Sequence, residues 1–248
     1  MMRRCFFVLN KAALFVAFVL FTVTFVLVVA SATTARWIVA HPVQQRDAAS
    51  TTTAAQPPAS TREEHRRNVI QSGLFHGIRE IDYGLSVRSE PFNVFDEVLS
   101  GVSFFPQTAW LVVLVFGGLC ALFAALGGFL SFVGLAYYSG EEARRRQRHS
   151  AMVAVLSAVC GCIALTTFVY HYVDSMQDSV LLPEQVELGF TTANTTHLGV
   201  SFWFFAGAVL SVSVVLLTLL LTFCANAWRK NVLDRTRPRT AKESQVMY

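Results

Sequence analysis

The sequence predicts an all-α membrane protein built as a bundle of four transmembrane helices. Of its 248 residues, 54% are hydrophobic and only 15% are charged, whereas soluble domains average about 25% charged residues. The apolar residues are concentrated in four blocks without charge, residues 12–30, 109–137, 150–173 and 198–228. A hydrocarbon core of about 30 Å requires about 20 residues of helix, so each block is long enough to cross it.

The blocks are expected to be helices because a single spanning segment has to satisfy its own backbone hydrogen bonds. Transmembrane strands would alternate apolar and polar residues instead. Small residues recur one turn apart in three blocks and predict close contact between helices. They are Gly117, Ala121 and Ala125 in the second block, Ala154, Ala158 and Cys162 in the third, and Gly207 and Ser211 in the fourth. The short connection 138–149 predicts that the second and third helices are antiparallel neighbours.

The first segment, 1–30, has two interpretations. Arg3 and Arg4, the apolar run and Ala30-Ser31-Ala32 together match a secretory signal peptide with its cleavage site. The apolar part of a signal usually has about 7–15 residues, whereas this run has 19. The length favours a retained first helix, and a mature N-terminus near Thr33 would reverse that choice.

The distribution of charge predicts the orientation in the membrane. The segment before the first block, the connection 138–149 and the tail 229–248 contain 13 basic and four acidic residues, and the connection 174–197 contains no Lys or Arg. Basic residues in short segments beside helices stay in the cytoplasm, so both termini are predicted to be cytoplasmic. Residues 31–108 and 174–197 then form two extracellular loops at the plasma membrane.

The first loop, 31–108, combines a flexible insert with weak strand signals. Residues 48–61 consist of Ser, Thr, Ala, Pro and one Gln, a composition that predicts a flexible insert and O-linked sugar. Turn residues beside short alternating runs at 73–84 and 85–88 indicate strands. A small extracellular β-sheet is therefore expected in this loop.

The second loop carries the chain's N-glycosylation sequon at Asn194. A sequon this close to a membrane span can also stay unmodified, so both states of Asn194 are left open. Neither loop contains a cysteine, and no disulfide is expected to brace the extracellular side. Cys5 and Cys224, near the cytoplasmic ends of the first and fourth blocks, are candidates for palmitoylation.

The pattern argues against an enzyme, a transporter and a nucleic-acid-binding protein. The apolar blocks hold no Asp, Glu, Lys or Arg, the residues that mark transport pathways at mid-bilayer. The chain has no phosphate-binding glycine loop, nucleophile elbow or zinc signature. Cys160-Gly161-Cys162 is interpreted as close-packing small residues, because residues two apart on a helix face different sides. The sequence predicts a protein with no catalytic residue, cofactor or metal.

The cytoplasmic tail, 229–248, predicts two contacts. Its basic residues are expected to bind anionic lipid, each contributing on the order of 1 kcal/mol. They are Arg229, Lys230, Arg235, Arg237, Arg239 and Lys242. The ending Val246-Met247-Tyr248 fits strand addition to a PDZ domain, which holds the terminal carboxylate on backbone amides. The predicted partners are therefore the lipid bilayer and a PDZ scaffold protein.

A series of short motifs runs along nearly the whole chain. They are Gly73-Leu74-Phe75-His76-Gly77, Phe104-Phe105-Pro106, Cys160-Gly161-Cys162, Ser201-Phe202-Trp203 and the closing Met247-Tyr248. In this order they resemble the clarins, four-pass proteins of sensory cells within the claudin-like group. Trp37 with Gly73-Leu74-Phe75 is also similar to the Trp and Gly-Leu-Trp of the claudin first loop. Tyr83 stands where clarins carry a loop cysteine, which indicates a divergent member, of an invertebrate type.

The resemblance implies a claudin-like four-helix bundle and a non-enzymatic membrane organiser. Such a protein links plasma-membrane domains to actin-rich protrusions and synapses of sensory cells, in sensory perception. Two alternatives stay open: a claudin-like adhesion or barrier protein that acts through the first loop, and an auxiliary subunit of an ion channel. An actin-linked complex, a channel and a second copy of the chain in a homo-oligomer are the corresponding partners.

Overall fold

The computed structural model describes residues 2–44, 68–82, 87–101, 105–136, 140–177, 180–181, 183–187, 189–192 and 195–236. In chain order its elements are α1 (Met2–Thr33), β1 (Ile38–Ala40), β2 (Val43–Gln44), β3 (Val69–Ser72), β4 (His76–Asp82), β5 (Val87–Asn93), α2 (Val94–Ser100), α3 (Gln107–Ala136), α4 (Gly140–His171), a π-helical turn (Tyr172–Met176), α5 (Pro183–Glu187), β6 (Phe190–Thr191), β7 (Thr196–Leu198) and α6 (Val200–Thr236).

Four helices are long and apolar enough to cross a membrane, as predicted. The spans are Asn10–Thr33, Gln107–Ala136, Arg145–Met176 and Val200–Arg229. Their outer surfaces are apolar, and large side chains such as Phe129 and Leu210 are 64% and 68% exposed. Such exposure is stable where lipid rather than water surrounds the helix. The chain is therefore a mostly helical, multi-pass membrane protein.

Three helices continue well past the apolar blocks, and one of them, α1, already begins at Met2. α4 begins at Gly140 and α6 runs to Thr236, so most of the predicted loop 138–149 and the first part of the tail 229–248 are helical. Lys, Arg, Gln, Glu and Ala, which are common in these extensions, are strong helix formers. Helical backbone bonds persist in water as well as in lipid, so the end of an apolar block does not mark the end of a helix.

The four long helices form a closed ring. α1 packs against α3 and α6, and α4 packs against the same two helices from the other side. Glycines permit close approach: a Cβ on Gly127 of α3 would overlap the ring of Phe21 in α1, and a Cβ on Gly161 of α4 would lie 3.0 Å from Val209 in α6. The Ser157 hydroxyl adds a hydrogen bond of 3.0 Å from α4 to a carbonyl of α3.

The predicted sets of small residues lie only partly at these contacts. Gly117 and Ala154 are buried, but Ala125 and Cys162 are exposed. A strict spacing of four drifts around the axis because one turn takes 3.6 residues. The buried face of α3 follows mixed spacings of three and four and comprises Ala109, Trp110, Val113, Gly117, Cys120, Ala124, Gly127, Gly128, Ser131 and Gly134.

A five-stranded antiparallel sheet covers the end of the bundle to which both long loops lead. The strand order is β5-β4-β3-β1-β7, and a separate two-stranded sheet joins β2 to β6. The strand signals at 73–84 and 85–88 overlap β4 and the start of β5, which confirms that a small sheet forms, and residues 83–86 lie outside the described residues. The second loop contributes β7, whose Leu198 pairs with Ile38 of the first loop. The insert 48–61 lies outside the described residues.

The sheet has one packed face and one open face. Along β4, Gly77, Arg79 and Ile81 are buried, whereas the residues between them are exposed. α2 lies beside the packed face and buries Val94 and Val98. This short helix begins where the Asn93 carboxamide oxygen accepts a 3.2 Å hydrogen bond from the N–H of Phe95. It ends at Gly101, whose φ of 72° is costly for residues with a side chain.

Candidate functional site

The motif Gly73-Leu74-Phe75-His76-Gly77 forms the turn between β3 and β4 and the start of β4. The N–H of Gly73 donates to the carbonyl of His76 over 3.0 Å and closes the turn. Leu74 is buried, whereas the Phe75 side chain is 42% exposed. The turn therefore anchors one side chain inside the protein and displays the next one at the surface.

Both glycines of the motif lie where a side chain would not fit. A Cβ on Gly73 would come within 2.8 Å of the Cα of Ala35, in the segment that leaves α1. A Cβ on Gly77 would overlap the ring of Phe92, its partner across the β4–β5 ladder. Because backbone and a packed ring cannot move aside at low cost, these positions require glycine for a steric reason.

Two hydrogen bonds attach the turn to the elements around it. The indole N–H of Trp110, near the start of α3, donates to the carbonyl of Leu74 over 2.9 Å. The N–H of Val94, at the start of α2, donates to the carbonyl of Phe75 over 2.9 Å. The motif thus joins the sheet to α2 and to a membrane-spanning helix.

A second group of contacts joins the C-terminal end of α1 to the N-terminal end of α6, close to β1. The Ser31 hydroxyl donates to the carbonyl of Ser201 over 2.7 Å, and the hydroxyl oxygens of Thr34 and Ser201 lie 2.6 Å apart. The N–H of Arg36 donates to the Ser201 hydroxyl over 3.2 Å. Ser201, the first residue of the Ser-Phe-Trp motif, therefore links two spanning helices that are distant in sequence.

Trp37 lies at the centre of the junction between the sheet and the adjoining ends of α1 and α6, and it is 1% exposed. Its indole N–H donates to the carbonyl of Ser31 over 2.8 Å. Its ring centroid lies 4.7 Å from that of Phe168 in α4 and 5.6 Å from that of Phe205 in α6. Aromatic contacts at these distances add to the stabilisation that burial alone provides, so Trp37 holds three helices against the sheet.

The packed face of the sheet contains a buried ion pair that the sequence analysis missed. Arg79 of β4 donates from both terminal nitrogens to the two carboxylate oxygens of Glu97 in α2, over 2.5 and 2.8 Å. The two side chains are 6% and 17% exposed. The guanidinium carbon lies 3.9 Å from the ring centroid of Phe92, and the Nε atom has no hydrogen-bond partner. No motif marks this pair, because its members come from a strand and a helix 18 positions apart.

A surface groove of about 360 Å³ lies where the open face of the sheet meets the C-terminal end of α1 and the N-terminal end of α6. Arg36, Gln71 and Phe204 are among the residues that line it. The Arg36 Nε–H donates to the Gln71 side-chain oxygen over 3.1 Å. Across the part of the chain that the structure describes, no three His, Cys, Asp or Glu residues converge as a metal site would require.

The remaining predicted site residues are only partly described. The Arg229 and Cys224 side chains are exposed on α6, and the backbones of Lys230 and Arg235 lie in the same helix. The backbone of Cys5 lies in α1. Asn194, Arg237, Arg239, Lys242 and the ending Val246, Met247 and Tyr248 lie outside the described residues.

The fold and the junction place the chain in the class of helical membrane proteins that have four spans and a small sheet at one end. Comparison of the chain with protein-family models gave no match, and comparison with curated proteins gave no match either.

Proposed function

We propose that this protein is a clarin-like, non-enzymatic organiser at the plasma membrane that links membrane domains to actin-rich protrusions and synapses of sensory cells. The observation that supports this most is that two of the five clarin-like motifs meet the claudin-like Trp37 at one junction. The turn 73–77, Trp37 and Ser201 all take part in the contacts between sheet and bundle. Shared motifs that build one structural joint are stronger support than the same motifs scattered over the fold.

The interior of the bundle supports a structural rather than a transporting role. Its buried polar residues are mostly hydroxyls that bond to backbone or to each other, such as Ser131 and Ser150, whose oxygens lie 2.8 Å apart. α3 carries no charged residue. Transport pathways usually require ionisable side chains within the membrane, so the packed, uncharged contact between α3 and its neighbours fits a scaffold better.

In the proposed orientation the sheet is extracellular and the basic ends of α4 and α6 are cytoplasmic. An epitope tag inserted within 48–61 tests it, because the tag should be stained by antibody on intact cells. A tag at residue 1 should be stained only after permeabilisation. Staining in the reverse order would overturn the orientation and with it the assignment of the tail to scaffold binding.

Proximity labelling in native sensory tissue tests the organiser role. A labelling enzyme fused to the N-terminus leaves the carboxylate of Tyr248 free, and we expect enrichment of PDZ scaffolds and actin-linked proteins. Deletion of Val246–Tyr248 is the matched variant and should remove the PDZ proteins while membrane insertion is unchanged. Enrichment equal to that around an unrelated four-span protein would overturn the proposal, and dominant enrichment of channel subunits would favour the auxiliary-subunit alternative.

Adhesion is a second candidate because the sheet displays apolar side chains at its surface. Phe75 and Ile78 are 42% and 41% exposed, and exposed apolar groups together often mark interaction sites. Expression in non-adherent cells distinguishes this role. Aggregation that is lost in a Phe75→Ser, Ile78→Ser variant would favour adhesion over the organiser.

A further inference from the structure

In the part of the chain that the structure describes, no strand pairs with the outer edge of β5 in the five-stranded sheet. β5 is the last strand in the order and pairs with β4 on one side. Six of its seven residues are exposed. An exposed edge strand presents unpaired N–H and C=O groups and is a template for pairing with another strand.

The direction of these backbone groups follows from one hydrogen bond. The N–H of Val94 donates to the carbonyl of Phe75, so this pair is of the hydrogen-bonded type. Hydrogen-bonded and non-hydrogen-bonded pairs alternate along an antiparallel ladder. The even-numbered residues of β5 therefore bond to β4, and the odd-numbered residues Val87, Ser89 and Pro91 turn their backbone groups outward. Pro91 is consistent with this alternation. Proline has no N–H, and at an outward-facing position the ladder to β4 loses no hydrogen bond.

We propose that this edge pairs with the same edge of a second copy of the chain, antiparallel about a two-fold axis at Ser89. Ser89 then lies opposite Ser89 of the second copy, and each N–H donates to the other's carbonyl. The N–H of Val87 donates to the carbonyl of Pro91 of the second copy, once on each side of the axis. Four hydrogen bonds result, and Pro91 removes two of the six that an edge without proline would form.

Charge complementarity selects this register. About Ser89, Arg88 lies opposite Glu90 of the second copy, and Glu90 lies opposite its Arg88. Within one chain these side chains already form an ion pair of 2.7 Å on one face of the strand, with 70% and 52% of each exposed. The pairing would therefore create an alternating group of four charges across the two-fold axis. Opposite charges placed directly across a ladder stabilise it.

The neighbouring registers are unfavourable. A two-fold axis at Arg88 places Arg88 opposite itself, and an axis at Glu90 places Glu90 opposite itself, which is destabilising. An axis at Pro91 leaves the central pair without an N–H donor. Among these four positions, only the axis at Ser89 combines opposite charges with central hydrogen bonds. The inference depends on the sheet edge alone, and it stands or falls independently of the proposed organiser function.

Charge exchange tests the pairing. Fluorescence energy transfer between two labelled pools of full-length protein in detergent micelles measures association. Arg88→Glu alone and Glu90→Arg alone should each weaken self-association by on the order of tenfold or more, because each places like charges in opposition. Mixing the two single variants restores Arg against Glu and should restore association. The double variant Arg88→Glu, Glu90→Arg is also self-complementary and should associate as the unmodified protein does.

Folding is controlled within the same series. Arg88 and Glu90 are exposed, so neither variant removes a buried contact. Glu90 lies across the ladder from Arg79, whose charge is already paired with Glu97. Arg88 lies across the ladder from the uncharged Ile81. Arg88→Glu therefore still tests the pairing if Glu90→Arg folds poorly. Equal association of Arg88→Glu and the unmodified protein would overturn the proposal.

Cross-linking provides a second, geometric test. In a hydrogen-bonded antiparallel pair the two Cα atoms are about 5.5 Å apart, within the 4.4–6.8 Å range of disulfides. Ser89→Cys adds a thiol to loops that contain no cysteine and should form a covalent dimer on mild oxidation in cell membranes. Glu80→Cys, on the exposed side of β4, is the matched control and should stay monomeric. Equal cross-linking of the two variants, or none at Ser89, would overturn the two-fold register.

Discussion

Removal of Glu97 should strongly destabilise the sheet, although 17% of the Glu97 side chain is exposed. In Glu97→Gln the Arg79 guanidinium keeps its charge but loses the carboxylate that binds both of its terminal nitrogens. Arg79 has 6% of its side chain exposed, so water cannot replace the lost partner. Breaking a buried ion pair costs about 3–5 kcal/mol, and the partial exposure of Glu97 places the expected loss near 3 kcal/mol.

The loss should be largely reversed when the charge that remains is removed as well. In the double variant Arg79→Met, Glu97→Gln an apolar side chain of similar length occupies the space beside Phe92. We expect the double variant to be within about 1 kcal/mol of the unmodified protein, because it leaves no unpaired buried charge and the amide at position 97 keeps partial contact with solvent. Glu80→Gln, on the exposed face of the same strand, is the matched control and should have little effect.

Amide hydrogen exchange of β4 measures these differences at the sheet itself. A loss of about 3 kcal/mol corresponds to roughly a hundredfold decrease in protection. The span helices should keep their protection in all variants, since their packing does not depend on this pair. A Glu97→Gln variant that exchanges like Glu80→Gln, or a double variant as unprotected as Glu97→Gln, would refute the reasoning from an uncompensated charge.

Three further substitutions test the junction by thermal unfolding in micelles. Gly77→Ala places a methyl group in the space of the Phe92 ring and should cost about 1–3 kcal/mol, whereas Gly118→Ala, with nothing within 4 Å, should be neutral or slightly stabilising. Trp110→Phe removes the N–H that bonds to the turn and should cost about 1–3 kcal/mol. Ser201→Ala removes the acceptor of the Arg36 N–H and should cost about 1–2 kcal/mol. An unchanged melting temperature of Trp110→Phe or of Ser201→Ala would contradict the role assigned to the hydrogen bond that the variant removes.

The sheet illustrates how far local patterns extend. Alternation at 73–84 predicts β4 because Gly77, Arg79 and Ile81 face one side over seven residues. β1 and β7 have three residues each, too few for an alternation to be recognised. Both strands exist because β1 pairs with β7 on one side and with β3 on the other, and such pairing depends on residues that lie far apart in the chain.

The contacts between sheet and bundle likewise combine a local pattern with partners that are distant in sequence. The glycine-containing motif at 73–77 is visible as a run of letters, but its partners are not. Trp110 is 36 positions away from Leu74, and Ser201 is 170 positions away from Ser31. The motif therefore predicts the turn without its attachments. No local pattern predicts the ion pair of Arg79 and Glu97, because a buried arginine is indistinguishable from an exposed one in a sequence.

The four apolar blocks are sufficient to predict the four helices that are long and apolar enough to cross a membrane. An apolar block of sufficient length has to cross the bilayer as a helix whatever its neighbours do, because lipid satisfies none of its backbone hydrogen bonds. Only the folded structure shows which side of each helix is buried and how two loops combine into one sheet, with β5 and β7 at its ends among the described residues. Those properties depend on contacts between segments that are far apart in the sequence, because each buried face has to fit the residues that pack against it.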